Sequence, residues 1–181
     1  MGCPSIEKKP VVIAVCGEKN SGKTALLVKL VREFSRRGIK TAVIKHDGHD
    51  FTCDIPGTDS YRLKQAGAYG TAVFSDSRIF VHKTGTKERE GNLIRLFPEA
   101  QIVFFEGMKK SCYPKIEVIR EGISKAPVSN HQGRFLIVTD KNPSDFAEKT
   151  VGFDDIGMIV DLIIERMKEE TKERNDNKCE R

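Results

Sequence analysis

Eight consecutive residues, Gly17-Glu18-Lys19-Asn20-Ser21-Gly22-Lys23-Thr24, fit the pattern G-x-x-x-x-G-K-[ST] at every fixed position. Glycines let a backbone wrap around a phosphate so that successive N–H groups point inward. A helix starting there adds positive potential. Lys23 is placed to reach the β- and γ-phosphates, and the hydroxyl of Thr24 to ligate Mg²⁺. Residues 17–25, Ala25 included, are the expected nucleotide-binding segment, and Lys23 is an expected catalytic group.

Two further segments carry acids of the right kind. Residues 101–107 (QIVFFEG) form an apolar run that ends in Glu106. A carboxylate at the C-terminal end of a buried strand faces the crevice where open α/β sheets collect their ligands, so Glu106 is a candidate for holding Mg²⁺ directly or through water. Residues 45–60 (KHDGHDFTCDIPGTDS) are densely polar and contain Gly and Pro. That composition marks a functional loop rather than a plain connector. Within it Asp54 is the candidate for positioning a water or the metal, with Asp59 as a second acid. Lys45 and His46 suit a phosphate or another anion. His46, His49 and Cys53 leave open a transition-metal site, although three donors on an irregular loop are thin for one.

Such a loop works only if a strand delivers it and a helix leaves it. Residues 11–16 (VVIAVC) are apolar and β-branched, as in a strand buried on both faces of a parallel sheet, and Cys16 reads as core. Leu26, Leu27, Leu30, Val31 and Phe34 then recur at helical spacing, with Gly38 where the helix would stop. Residues 41–44 read as a second buried strand and residues 58–65 as a short helix. Residues 71–74 and 79–82 read as two strands around a Ser-Asp-Ser turn. Residues 101–105 and 135–138 are further apolar strands. Residues 115–120 alternate Ile116, Val118 and Ile119 with Glu117 and Arg120, which predicts a half-exposed edge strand. Ile156, Ile159, Val160, Ile163 and Met167 mark a closing amphipathic helix. Alternating strands and helices predict a three-layer α/β P-loop domain with a mostly parallel sheet and additional edge strands.

The 181 residues suffice for one domain with a sizeable core, expected over 11–168 between a short N-terminal extension (1–10) and a charged, frayed tail (169–181). Residues 165–181 balance six basic against six acidic side chains, so the net charge of +5 arises elsewhere. That surplus suits a phosphate-bearing small ligand. No aromatic-interleaved basic stripe points to nucleic acid. No apolar run approaches membrane-spanning length and no secretory signal is evident, so a cytoplasmic protein is expected. Five cysteines without CxxC spacing argue against a disulfide framework or a zinc ribbon.

Several segments together carry a family resemblance. They are the phosphate loop, Lys45-His46-Asp47, the run from Asp54 through Arg62 (DIPGTDSYR), and Ala66-Gly67-Ala68. Glu106-Gly107-Met108-Lys109 and Pro114-Lys115-Ile116-Glu117-Val118 complete the set. The chain resembles the MobB family of molybdopterin-guanine dinucleotide biosynthesis adaptors from about residue 11 to residue 140. The resemblance implies a GTP-binding P-loop protein with weak GTPase activity that uses Mg²⁺. It also implies action beside the guanylyltransferase that joins GMP to molybdopterin, and a homodimer whose sheet extends across two chains. Asp54 and Glu106 fall at the acidic positions of the family's motifs. The homodimer is expected through residues 71–82 and 115–120, whose short strands read as unpaired edges. For the base, residues 138–142 (VTDKN) hold the elements of an [NT]-K-x-D loop in another order, which makes Thr139 and Asp140 candidates. A metallochaperone GTPase and a small-molecule kinase are the competing readings. The first wants a fuller Cys/His cluster, and the second wants an arginine-rich lid, for which Arg89 and Arg95 are the available residues.

Overall fold

The computed structural model describes residues 9–48, 51–85 and 88–179. Its strands are β1 (Val11–Gly17), β2 (Thr41–Lys45), β3 (Gly70–Phe74), β4 (Ile79–Lys83), β5 (Ile102–Glu106), β6 (Lys115–Ile119), β7 (Arg134–Thr139) and β8 (Lys149–Val151). Its helices are α1 (Lys23–Arg36), α2 (Asp59–Gln65), α3 (Glu90–Ile94) and α4 (Ile156–Cys179), with a 3₁₀ turn at Pro143–Asp145. The chain divides into two compact units. One contains the chain up to His46 and again from Ile94 onward, and the other is Asp47–Leu93.

The first unit is a six-stranded sheet in the order β2-β5-β1-β6-β7-β8, parallel throughout. The mostly parallel α/β architecture expected from the sequence is what the chain adopts. β1 lies in the middle, so its side chains need apolar cover on both faces. On one face Val11, Ile13 and Val15 pack with Leu26, Leu27, Leu30 and Phe34 of α1 and with Ile159, Val160 and Ile163 of α4. On the other face Val12, Ala14 and Cys16 pack with Val103 and Phe105, against which Ile94, Met108 and Tyr113 are applied. α1 ends as its sequence predicts, with Gly38 at φ +72° just past Arg37.

Two expectations need correction. The strand at 115–120 is not an edge: β6 pairs with β1 on one side and β7 on the other, and Lys115 through Ile119 are all buried. Its charged residues each keep a hydrogen bond in burial, although Glu117 Oε2 has no partner among the described residues. The ammonium of Lys115 donates to the carbonyls of Tyr113 (2.9 Å) and Gln132 (2.7 Å), and Glu117 Oε1 accepts from the Val128 N–H at 2.8 Å. These bonds fasten the chain around 113 and around 128–132 to the sheet. β6 therefore has no free edge to offer a second copy. The true edges are β8 and β2, and β2 is accordingly only part-buried, with Val43 exposed.

In the second unit β3 and β4 form an antiparallel hairpin, as their sequence suggests. α2 is capped by Thr58, whose side chain accepts from the Tyr61 N–H. One face of the hairpin carries Ala72, Phe74, Ile79 and Val81, all exposed, with Phe74 at 83% and Ile79 at 74%. No helix among the described residues is long and apolar enough to cross a membrane.

Candidate nucleotide-binding site

β1 ends at Gly17, and the chain returns to α1 at Lys23 through a tight loop with three residues at positive φ: Gly17 (+143°), Asn20 (+65°) and Gly22 (+97°). Gly17 could not be any other residue. A Cβ there would lie 2.5 Å from the Val118 carbonyl oxygen and 2.7 Å from Ser21 Oγ. Ser21 is fully buried beneath the loop. Gly22 is the N-cap of α1 and supplies no side-chain cap, and the first turn holds no acid. The leading N–H groups of α1 are thus left for an external anion. Thr24 and Ala25 are exposed on that turn, as are Lys19 and Asn20 on the loop.

Lys23 folds back over the loop, its ammonium 2.6 Å from the Glu18 carbonyl oxygen, which also accepts from the Ser21 N–H. The Glu18 carboxylate accepts from the Lys125 N–H at 3.4 Å. Thr24 and Glu106, distant in sequence, meet directly: Thr24 Oγ1 donates to Glu106 Oε1 at 2.7 Å. Glu106 is buried and flanked in register by Val15 and Lys45, whose ammonium stands 3.9 Å from the same oxygen. The strand-end carboxylate and the loop hydroxyl form one oxygen-rich corner beside the N-terminus of α1. That is the donor set Mg²⁺ takes.

Asp54 belongs to the second unit. Its Oδ1 accepts from the Ile55 N–H (3.0 Å), Ser60 Oγ (3.0 Å) and Thr58 Oγ1 (3.3 Å), organising the entry to α2. Its Oδ2 is buried without a hydrogen-bond partner among the described residues. His49 lies outside the described residues, and no three described His, Cys, Asp or Glu side chains converge as a metal cluster. Arg95 directly follows α3, and Arg89 precedes it.

At the far side of the loop stand residues the sequence placed less well. Thr139 closes β7 with its Oγ1 accepting from the Lys141 N–H. Asp140 accepts from the Glu121 N–H at 2.7 Å through Oδ1 and from Arg120 Nη1 at 3.3 Å through Oδ2. Burial works to raise the Asp140 carboxyl, but these hydrogen bonds and the Arg120 charge outweigh it and hold the pKa below the ordinary value. Arg120, expected as an outward charge on an edge strand, instead lies beside the phosphate loop. Its Nη2 would be 3.2 Å from a Cβ on Gly22, and its guanidinium carbon is 3.8 Å from the Phe153 ring centroid. Only the central position of β6 creates this juxtaposition, and no local signal in the sequence announces it.

Cys16, next to the loop, donates to the Gly107 carbonyl at 3.0 Å. Burial, aided by the negative charge of Glu117, pushes its thiol up to about 12. It is a core residue and not a nucleophile.

A phosphate loop and a strand-end acid are shared by many folds' worth of nucleotide-binding proteins, so the narrower assignment rests on comparison. The family model described as MobB, molybdopterin guanine dinucleotide synthesis protein B, matches residues 12–140. The chain belongs to the MobB family. It is 30% identical over 165 residues to the molybdopterin-guanine dinucleotide biosynthesis adapter protein of Escherichia coli, covering 88% of this chain and 94% of that protein. Over 155 residues it is 30% identical to the adapter protein of the same description from Haemophilus influenzae, covering 84% and 86%. The crystal structure of Bacillus subtilis MobB superposes with a TM-score of 0.66 at 24% identity, covering 86% of this chain and 96% of that one. The MobB homologue from Bacillus stearothermophilus gives 0.61 at 20% identity, covering 87% and 97%. These two likenesses establish the fold.

Proposed function

We propose that this chain is a GTP-binding adapter in molybdopterin guanine dinucleotide biosynthesis, with slow GTP hydrolysis, assisting the guanylyltransferase that attaches GMP to molybdopterin. The observation that carries the reading is the pairing of Thr24 with Glu106 beside an uncapped helix start and a loop closed at Gly17 and Gly22. The polyphosphate would lie on the N–H groups of residues 17–25 with the Lys23 ammonium over its β- and γ-groups. Mg²⁺, when bound, supplies neutralisation of charge on those phosphates, and Thr24 and Glu106 are the residues that would hold it. Asp54, which belongs to the other unit, is assigned to orienting a water. A buried carboxylate oxygen without a protein partner supports that assignment, because such an oxygen is costly unless something else satisfies it. Family membership supports the adapter role, and it is the ground on which guanine as the base and the transferase as partner are proposed.

Homodimerisation belongs to the same proposal, now through β3 and β4 alone. The exposed apolar row of Ala72, Phe74, Ile79 and Val81 is the kind of surface a second copy covers by two-fold pairing.

The test is a guanylyltransferase reaction containing molybdopterin, GTP and Mg²⁺, with and without the purified chain. Stimulated dinucleotide formation, lost in Lys23→Ala, is the expected result. No stimulation at any ratio of adapter to transferase would overturn the adapter role.

A further inference from the structure

Resting on the nucleotide-binding reading, we propose that Arg120 is a ligand-contacting residue that binds the α-phosphate end of the nucleotide. The direction of the bound polyphosphate can be read from the sheet. β1 lies between β5, which brings Glu106 to Thr24, and β6, which Arg120 directly follows. Thr24 and Glu106 are the residues that would hold a cation, and a cation there would neutralise charge on the outer phosphates. The opposite flank of the loop, on the β6 side, then faces the inner phosphate and the nucleoside.

Arg120 is built for that flank. Its backbone N–H donates to Ser124 Oγ at 3.2 Å, which fixes the turn out of β6. Its guanidinium lies against Phe153, and Nη1 is taken by Asp140. Nε and Nη2 make no hydrogen bond among the described residues. Nη2 lies over the bare Cα of Gly22, at the point where loop becomes helix. Phe153 and Asp140 thus hold a planar cation, itself still partly exposed, with donors to spare at the mouth of an anion cradle. Arginine with its orientation fixed in this way is suited to a phosphate oxygen.

The experiment is calorimetric titration of GTP and of GDP, each with Mg²⁺, into the full chain, R120A, R120Q and K23A at two ionic strengths. R120A is expected to weaken GTP and GDP by the same factor, at least about tenfold, as loss of one charge-assisted contact implies. It should also flatten the salt dependence of binding. R120Q, which keeps an apolar stem against Phe153, reads the same way if R120A fails to fold. Parental affinity in these variants overturns the inference alone. So does a loss confined to GTP, which would put Arg120 at the outer phosphate. Weakened binding with parental salt dependence also overturns it, since Arg120 would then be only a brace for the loop. If the parent itself binds neither nucleotide, the nucleotide reading fails and this inference with it.

Discussion

Glu106 and Thr24 share a single hydrogen bond across 82 positions of sequence, so each tests the other. Glu106→Ala should lower GTP hydrolysis by at least about a hundredfold, since organising a metal in the transition state is worth several kcal/mol. GTP binding should fall far less, because the backbone cradle is untouched. Asp54→Ala should lower hydrolysis by about a hundredfold through a mispositioned water. Steady-state hydrolysis assays check both, and parental rates in both variants would make the two acids bystanders. Cys16 offers a purely structural check. With its thiol held near 12 it stays protonated across the working pH range, and it is buried. Iodoacetamide at pH 8 followed by peptide mass spectrometry should modify the exposed Cys53 and Cys112 and spare Cys16.

At the scale of elements β6 is the instructive case. Lys115 is fully buried, and desolvation lowers its pKa from the usual lysine value. Between that lowered value and the unfolded value near 10.5, the folded chain binds fewer protons than the unfolded one, so the cost of burying Lys115 is relieved as pH rises. Lys115→Met should leave the carbonyls of Tyr113 and Gln132 without their donor and destabilise by about 1–3 kcal/mol. Denaturant unfolding should show the parent's advantage over K115M growing as pH approaches 10. The sequence misled here for a physical reason. Alternating charge normally means solvent, and of the groups that make Lys115 and Glu117 tolerable only the Tyr113 carbonyl is local, the Val128 N–H and the Gln132 carbonyl lying 11 and 17 residues further along the chain. β1, α1 and β5 were legible because continuous apolar runs and helical spacing need no distant partner to be recognised. β8 has three residues, too few for a pattern. Among site residues, the loop and Glu106 were visible as motif and strand end. Arg120 was not, because its place depends on which strands neighbour β1.

For the whole molecule, the exposed face of the β3–β4 hairpin is the feature least at home on a lone chain. Sedimentation equilibrium at micromolar concentration should give twice the chain mass, and Phe74→Asp, which places a charge in the apolar row, should give the monomer. A parent that stays monomeric with and without GTP would reject the dimer. The central claim, that residues 17–25 cradle a nucleoside triphosphate, is tested most directly by calorimetric titration of GTP with Mg²⁺ into the parent and Lys23→Ala. Saturable one-to-one binding by the parent, with tight binding abolished in a normally folded K23A, is the predicted result. Equal affinity in the two proteins would contradict it.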